Sequence, residues 1–132
     1  MDHETFVWLA RSRSWLAEHF DERVRLEMAA QEAYMSPFHY HRLFSRAFSE
    51  TPHEFVTRLR LEHAKKLIRS SDLTISEICM EVGYGSLGTF SSMFSRHEGC
   101  SPVEFRRVYS MPQAWTLKVV PSCMLSLWAV PR

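Results

Sequence analysis

Apolar residues recur along this chain at intervals of three and four, the period of a helix with one buried face. Phe6, Leu9, Trp15-Leu16 and Phe20 mark a helix near the N-terminus. Leu26, Ala29, Ala30 and Ala33 mark a short second helix built from small residues. Tyr40, Phe44, Ala47 and Phe48 mark a third, opening at Ser36-Pro37, where serine caps and proline fits the first turn. Thr51-Pro52 opens a longer helix carrying Phe55, Leu59, Ala64, Leu67 and Ile68. Thr74-Ile75-Ser76-Glu77 reads as a capping box ahead of Ile78, Cys79 and Val82, and Gly83 supplies the left-handed stop. Ser86 then caps a helix with Phe90 and Phe94 on one face, Gly99 ends it, and Ser101-Pro102 opens the last. The pattern predicts an all-α fold of about seven helices.

These elements repeat. Phe44-Ser45-Arg46 and Thr51-Pro52-His53-Glu54-Phe55 match Phe94-Ser95-Arg96 and Ser101-Pro102-Val103-Glu104-Phe105, with six identities at an offset of fifty and threonine exchanged for serine at a seventh position. The same offset pairs Ser36 with Ser86, Tyr40 with Phe90 and Glu27 with Glu77. Each copy has the form of a helix-turn-helix. In the first copy Tyr34-Met35 make the turn without a glycine. The expected organisation is a first helix-turn-helix subdomain at 1–55, a linker helix at 52–70, a second subdomain at 71–110 and a tail at 111–132.

Charge alters this picture only locally. The formal net charge is +1, which by itself announces no nucleic-acid partner. Between Ser36 and Arg69, however, seven cations (Arg42, Arg46, Arg58, Arg60, Lys65, Lys66, Arg69) face three acids (Glu50, Glu54, Glu62), an excess of four. With 45% apolar and 13% aromatic residues the chain fills a core and does not read as disordered. Cys79, Cys100 and Cys123 match neither a disulfide framework nor a CxxC metal site, so a reducing cytoplasm is the simplest location. No signal peptide is visible ahead of Phe6, and Lys118 and Pro121 break the apolar tail well short of a membrane span. A soluble protein is expected.

In a helix-turn-helix the first helix braces and the second enters the major groove. In the first copy Tyr40, Phe44 and Ala47 turn inward, leaving Phe38, His41, Arg42 and Ser45 to face base edges. Arg42 can bond a guanine bidentately, His41 can donate or accept, and Phe38 can cover a thymine methyl. Ser36 at the helix start and Arg46 a turn beyond Arg42 suit phosphate. In the second copy Leu87, Gly88, Ser91, Ser92 and Ser95 face outward; they are small and neutral apart from Leu87, and Ser86 and Arg96, with His97, suit phosphate. Sequence discrimination is therefore expected mainly from the first copy. About fifteen linker residues at roughly 1.5 Å each span about 20 Å. With the units' own width, this predicts reading helices about 34 Å apart, one turn of duplex.

These residues resemble the DNA-binding domain of the AraC/XylS family of transcription regulators over about Trp15 to Val108. The resemblance rests on Ser36 to Phe48, Thr51-Pro52-His53-Glu54-Phe55, Arg58-Leu59-Arg60-Leu61-Glu62-His63-Ala64 with Leu67-Ile68, and Ile78-Cys79 with Val82-Gly83-Tyr84. Phe90, Phe94, Ser101-Pro102 and Phe105-Arg106 complete it. It implies seven helices, two recognition helices joined by a long one, an asymmetric double-stranded site near a promoter, and activation through contact with RNA polymerase. Three positions depart from the family pattern. Cys79 stands at a usual alanine, Ser49 at a usual glycine, which predicts a strained or altered turn, and the outward face of the second copy lacks the glutamine or arginine often found there.

The tail lies outside the resemblance. Leu117-Lys118-Val119-Val120-Pro121 and Met124-Leu125-Ser126-Leu127-Trp128 read as strands. They suit either the opening of a small-molecule-binding module, with the chain then a fragment or truncated product, or an extension folded back on the helices. An enzyme or metal sensor is not expected. His39 and His41, two apart on a helix, point to different faces, and no cysteine pairs with a histidine at ligand spacing, so no metal or cofactor is assigned. The rival to DNA binding is a protein-interaction module on the same scaffold.

Overall fold

The computed structural model describes residues 1–109. Among these residues are seven helices and no strand: α1 (His3–His19), α2 (Leu26–Glu32), α3 (Pro37–Phe48), α4 (Pro52–Ser70), α5 (Ile75–Glu81), α6 (Leu87–Glu98) and α7 (Pro102–Tyr109). The tail read as strands lies outside the described residues. The chain divides into two compact units, one from Met1 to Glu62 and one beginning at His63, so α4 contributes its first half to one and its second half to the other.

Helix starts follow the polar residues ahead of them. Asp2, Ser36, Thr74 and Ser86 each accept a hydrogen bond from the backbone amide three residues on, satisfying a donor that the helix itself leaves free. The reciprocal capping box forms at a different place from the one expected. Thr51 N–H donates to Glu54 Oε1 at 3.1 Å while Glu54 N–H donates to Thr51 Oγ1 at 3.0 Å. At Thr74 only half of the box is present, because the Thr74 hydroxyl itself donates to Glu77 Oε1 at 3.0 Å.

In the first unit α1, α2 and α3 close around Leu9, Leu16, Ala29, Ala30, Tyr40 and Phe44, with Phe55 of α4 completing the core. The alanines let α2 approach its neighbours closely. A buried polar link crosses this core: the Ser12 hydroxyl donates to the Ala29 carbonyl at 2.7 Å and lies 2.8 Å from the Tyr40 hydroxyl. Burial pushes the Tyr40 phenol up to about 12, against the smaller opposing effect of Ser12, so it stays protonated near neutrality. In the second unit Ile78, Cys79, Val82, Phe90, Phe94 and Phe105 are buried. Cys79 fits as the alanine-sized residue it replaces. Its thiol lies 3.7 Å from the Tyr84 carbonyl, and burial raises its pKa.

The repeat is visible as the same chain of rings in each unit. Tyr40–Phe44 and Phe44–Phe55 centroids lie 5.6 and 6.0 Å apart; Phe90–Phe94 and Phe94–Phe105 lie 5.9 and 5.4 Å apart. Upstream of the turn, however, the offset becomes forty-nine. Tyr34 N–H bonds the Gln31 carbonyl as Gly83 bonds Met80, and Met35 bonds Ala30 as Tyr84 bonds Cys79. Glu77 therefore matches Met28, and Glu27 matches Ser76, which corrects the Glu27–Glu77 pairing. The first turn is one residue shorter and places Tyr34 at φ 56°, where the second has Gly83 at 96°. A side chain there costs about 1–2 kcal/mol. Tyr34 offsets this by meeting Trp8 edge-on at 4.7 Å. The strain expected at Ser49 is also present: it closes α3 at φ 59°, in the place Gly99 occupies at 82° after α6.

Two stability measurements test this packing. Phe44→Ala and Phe94→Ala should each cost about 3–5 kcal/mol in denaturant unfolding, as large core truncations do; unchanged transitions would mean that the helix faces are misassigned. Ser49→Gly should gain up to about 1 kcal/mol by removing a left-handed side chain, and a loss of stability would show that the serine makes compensating contacts.

Candidate nucleic-acid interface

Burial sets the rotation of α3. Tyr40 and Phe44 are fully buried, so residues half a turn away project outward. Phe38 is 77% exposed, a large aromatic ring left in solvent near the helix start. Arg42 lies one turn on with its guanidinium 5.7 Å from the Phe38 ring centroid. Its Nη2 is also 3.4 Å from His39 Nδ1. A guanidinium has only donors, so this contact requires the His39 Nδ1 lone pair. His39 was absent from the expected reading set; its spacing of three from Arg42 is the signal that identifies it. The result is an exposed cation lying along an exposed ring, with donors free to turn toward a partner.

His41 and Arg46 are exposed, and Ser36 is exposed at the N-cap, where its hydroxyl accepts from His39 N–H at 3.3 Å. Ser45 is half-buried, and its hydroxyl donates to the His41 carbonyl at 2.7 Å. Its proton is thus engaged within α3, and only its lone pairs remain to meet a donor.

On α6 the same phase holds, with Phe90 and Phe94 fully buried. Leu87 is 45% exposed, Gly88, Ser92 and Arg96 are exposed, and Ser91 and Ser95 are half-buried. Ser86 is exposed at the N-cap and accepts from Thr89 N–H at 3.3 Å. Gly88 is not demanded by packing, since a Cβ built there would meet only Ser86 Oγ at 3.7 Å, an ordinary contact. Thr89, at the repeat position of His39, is exposed as well. Position for position along the repeat, Phe38, His41 and Arg42 on α3 correspond to Gly88, Ser91 and Ser92 on α6. One face is bulky and cationic, the other small and neutral.

Much of the local positive charge is committed within the fold. Arg58 pairs with Glu50 at 2.8 Å and Glu62 at 3.7 Å, and its hydrogen bond to Glu50 is the main cause raising its pKa. Arg60 donates to the carbonyls of Phe20 and Glu22 at 2.6 and 2.8 Å. Lys65 is buried against Glu98 at 3.1 Å, tying α4 to the end of α6. Glu54 is held low first by the Thr51 amide and only weakly by His53 and His41. Arg58 and Lys65 are thus paired within the fold, and Arg42 and Arg46 are the exposed cations of α3. Among the described residues no group of three His, Cys, Asp or Glu side chains is placed to hold a metal ion.

A family model described as "Helix-turn-helix domain" matches residues 29–108. The chain is 36% identical over 94 residues to the HTH-type transcriptional activator RhaS of Salmonella schwarzengrund, covering 71% of this chain and 34% of that protein. It thus spans about a third of the length of the curated relatives it matches. The DNA-binding domain of AdpA, solved in complex with a target DNA, superposes with a TM-score of 0.74 at 29% identity, covering 77% of this chain and 92% of that one. The C-terminal domain of AraT, a response regulator from Geobacillus stearothermophilus, gives the same TM-score and identity over 80% and 88%. Matched through both helix-turn-helix units, the chain belongs to the AraC/XylS-type helix-turn-helix family.

Proposed function

We propose that the chain is a sequence-specific double-stranded DNA-binding transcription regulator in which α3 reads bases and α6 adds mainly backbone affinity. The observation that carries this reading is the Phe38–Arg42 pair, exposed on a helix whose opposite face is locked by Tyr40 and Phe44. Arg42 takes a guanine, Phe38 a thymine methyl or sugar, and His41 and the Ser45 lone pairs the neighbouring edges. Ser36, Ser86, Arg46 and Arg96 hold phosphates. Leu87, Gly88, Ser91 and Ser92 lie against the second groove, where small side chains permit close approach. The likeness to AdpA, solved on its target DNA, supports this assignment.

In the same reading the subdomains run over 1–55 and 71–110 with the linker helix at 52–70. RNA polymerase is the second partner, in keeping with the description of RhaS as an activator. The chain acts as a regulator rather than an enzyme and works in the cytoplasm beside the DNA. No helix of the described residues is long and apolar enough to cross a membrane.

Two measurements test the reading. Affinity for a selected duplex should fall steeply with salt, the logarithmic slope growing by about 0.9 for each phosphate neutralised. An affinity flat between low and physiological salt would favour the protein-interaction module instead. Site selection from random duplex then separates the arginines. Arg42→Ala should cost roughly 1–3 kcal/mol and relax preference at one base pair. Arg46→Ala should weaken all sequences alike and reduce the salt slope by about one. A full consensus retained by Arg42→Ala would remove Arg42 from the base-reading set.

A further inference from the structure

We propose that the first unit binds a small molecule with a compact apolar body and an anionic head, in a cavity beside α3. The cavity has a volume of about 210 Å³. Leu16, Val24 and Val56 contribute its apolar wall, and His41, His53 and Arg60 its polar groups. A dry apolar cavity of roughly 150 Å³ already accepts benzene, so a six-membered ring with a head group is the right scale. The lining contains basic side chains and no acidic one. Glu54, the carboxylate next along α4, is turned into its capping box with Thr51. His53 also stands in the first turn of a nineteen-residue helix, whose positive end favours an anion.

Hydrogen bonds within the unit hold the wall in place. Arg60 ties the carbonyls of Phe20 and Glu22, fixing the segment that carries Val24. The repeat does not require such a cavity. At the position of Val56 the second unit has Arg106, half-buried, whose Nη2 is buried without a hydrogen-bond partner among the described residues.

His41 joins the two surfaces, because it lines the cavity and is exposed on α3. An anion held by His41 withdraws that imidazole from DNA, so occupancy and operator affinity oppose one another. This coupling, unlike the binding itself, rests on the DNA-reading role of α3.

The test is an amide NMR titration of the 132-residue protein with cyclohexanecarboxylate, alongside cyclohexanol, cyclohexylamine and inorganic phosphate. The carboxylate should give saturable shifts confined to residues around the cavity, in the roughly millimolar range for so small a ligand. It should bind about fivefold tighter than cyclohexanol, the effect of one charged contact near the surface. Val24→Phe, which fills the cavity, should abolish the shifts, and His53→Gln, which leaves it open, should weaken them severalfold. Phosphate matching the carboxylate would overturn the proposal and leave only a backbone-phosphate site. Absence of saturable shifts, or saturation unchanged in both variants, would overturn it too. Operator affinity is measured separately with and without the carboxylate. Ligand binding without DNA binding would refute the regulator reading alone, whereas DNA binding unmoved by saturating ligand would refute the coupling alone.

Discussion

A helix that reads a groove is useful only if its rotation about its own axis is fixed. A turn of one residue, about 100°, would replace every side chain offered to the partner. In this chain that rotation is set by aromatic burial. Tyr40 and Phe44 on α3, and Phe90 and Phe94 on α6, have no exposed surface, and each pair packs onward against the phenylalanine in the first turn of the next helix, Phe55 or Phe105. The helix after each reading helix therefore serves as the floor on which it rests. This is why the repeat preserves Phe44 and Phe55 as Phe94 and Phe105, while Phe38, His41 and Arg42 on the outward face give way to Gly88, Ser91 and Ser92 even though Ser45 and Arg46 recur as Ser95 and Arg96. Packing constrains the inner face, and the outer face is free to change chemistry.

The phase of the helices was legible in the sequence because burial imposes a period, and a period survives without coordinates. Caps were legible where a hydroxyl stands ahead of an apolar run, although only geometry decides whether a glutamate returns to the backbone, as Glu54 does, or to a hydroxyl, as Glu77 does. The change of register at the first turn was hidden. Tyr34 does the work of Gly83 with one residue fewer, and nothing in its identity advertises a positive φ. Available charge was the least legible quantity. Arg58, Arg60 and Lys65 look the same in a sequence as Arg42, yet Arg58 and Lys65 pair with Glu50 and Glu98, and Arg60 turns donors to two loop carbonyls while keeping its charge. The cavity was invisible for a related reason, since it is a property of how Leu16, Val24 and Val56 fail to meet.

The two units differ in how much irregular backbone they accept, and the difference follows from their support. The first holds two non-glycine residues in left-handed conformation, Tyr34 and Ser49; the second uses Gly83 and Gly99 at those places. At about 1–2 kcal/mol apiece, these residues impose a load comparable to a large part of a small domain's net stability. The first unit has α1 to carry it. Through Ser12 it grips α2 and Tyr40, through Trp8 it packs on Tyr34, and through Arg13 it lies over the rings of Phe48 and Phe55 at 4.6 and 5.2 Å. These contacts converge on both ends of α3. The helix that carries Phe38 and Arg42 is thus braced on its buried side and at each terminus. Such bracing matters most for a long arginine and a bulky ring, whose discrimination depends on small displacements, and least for the glycine and serines of α6.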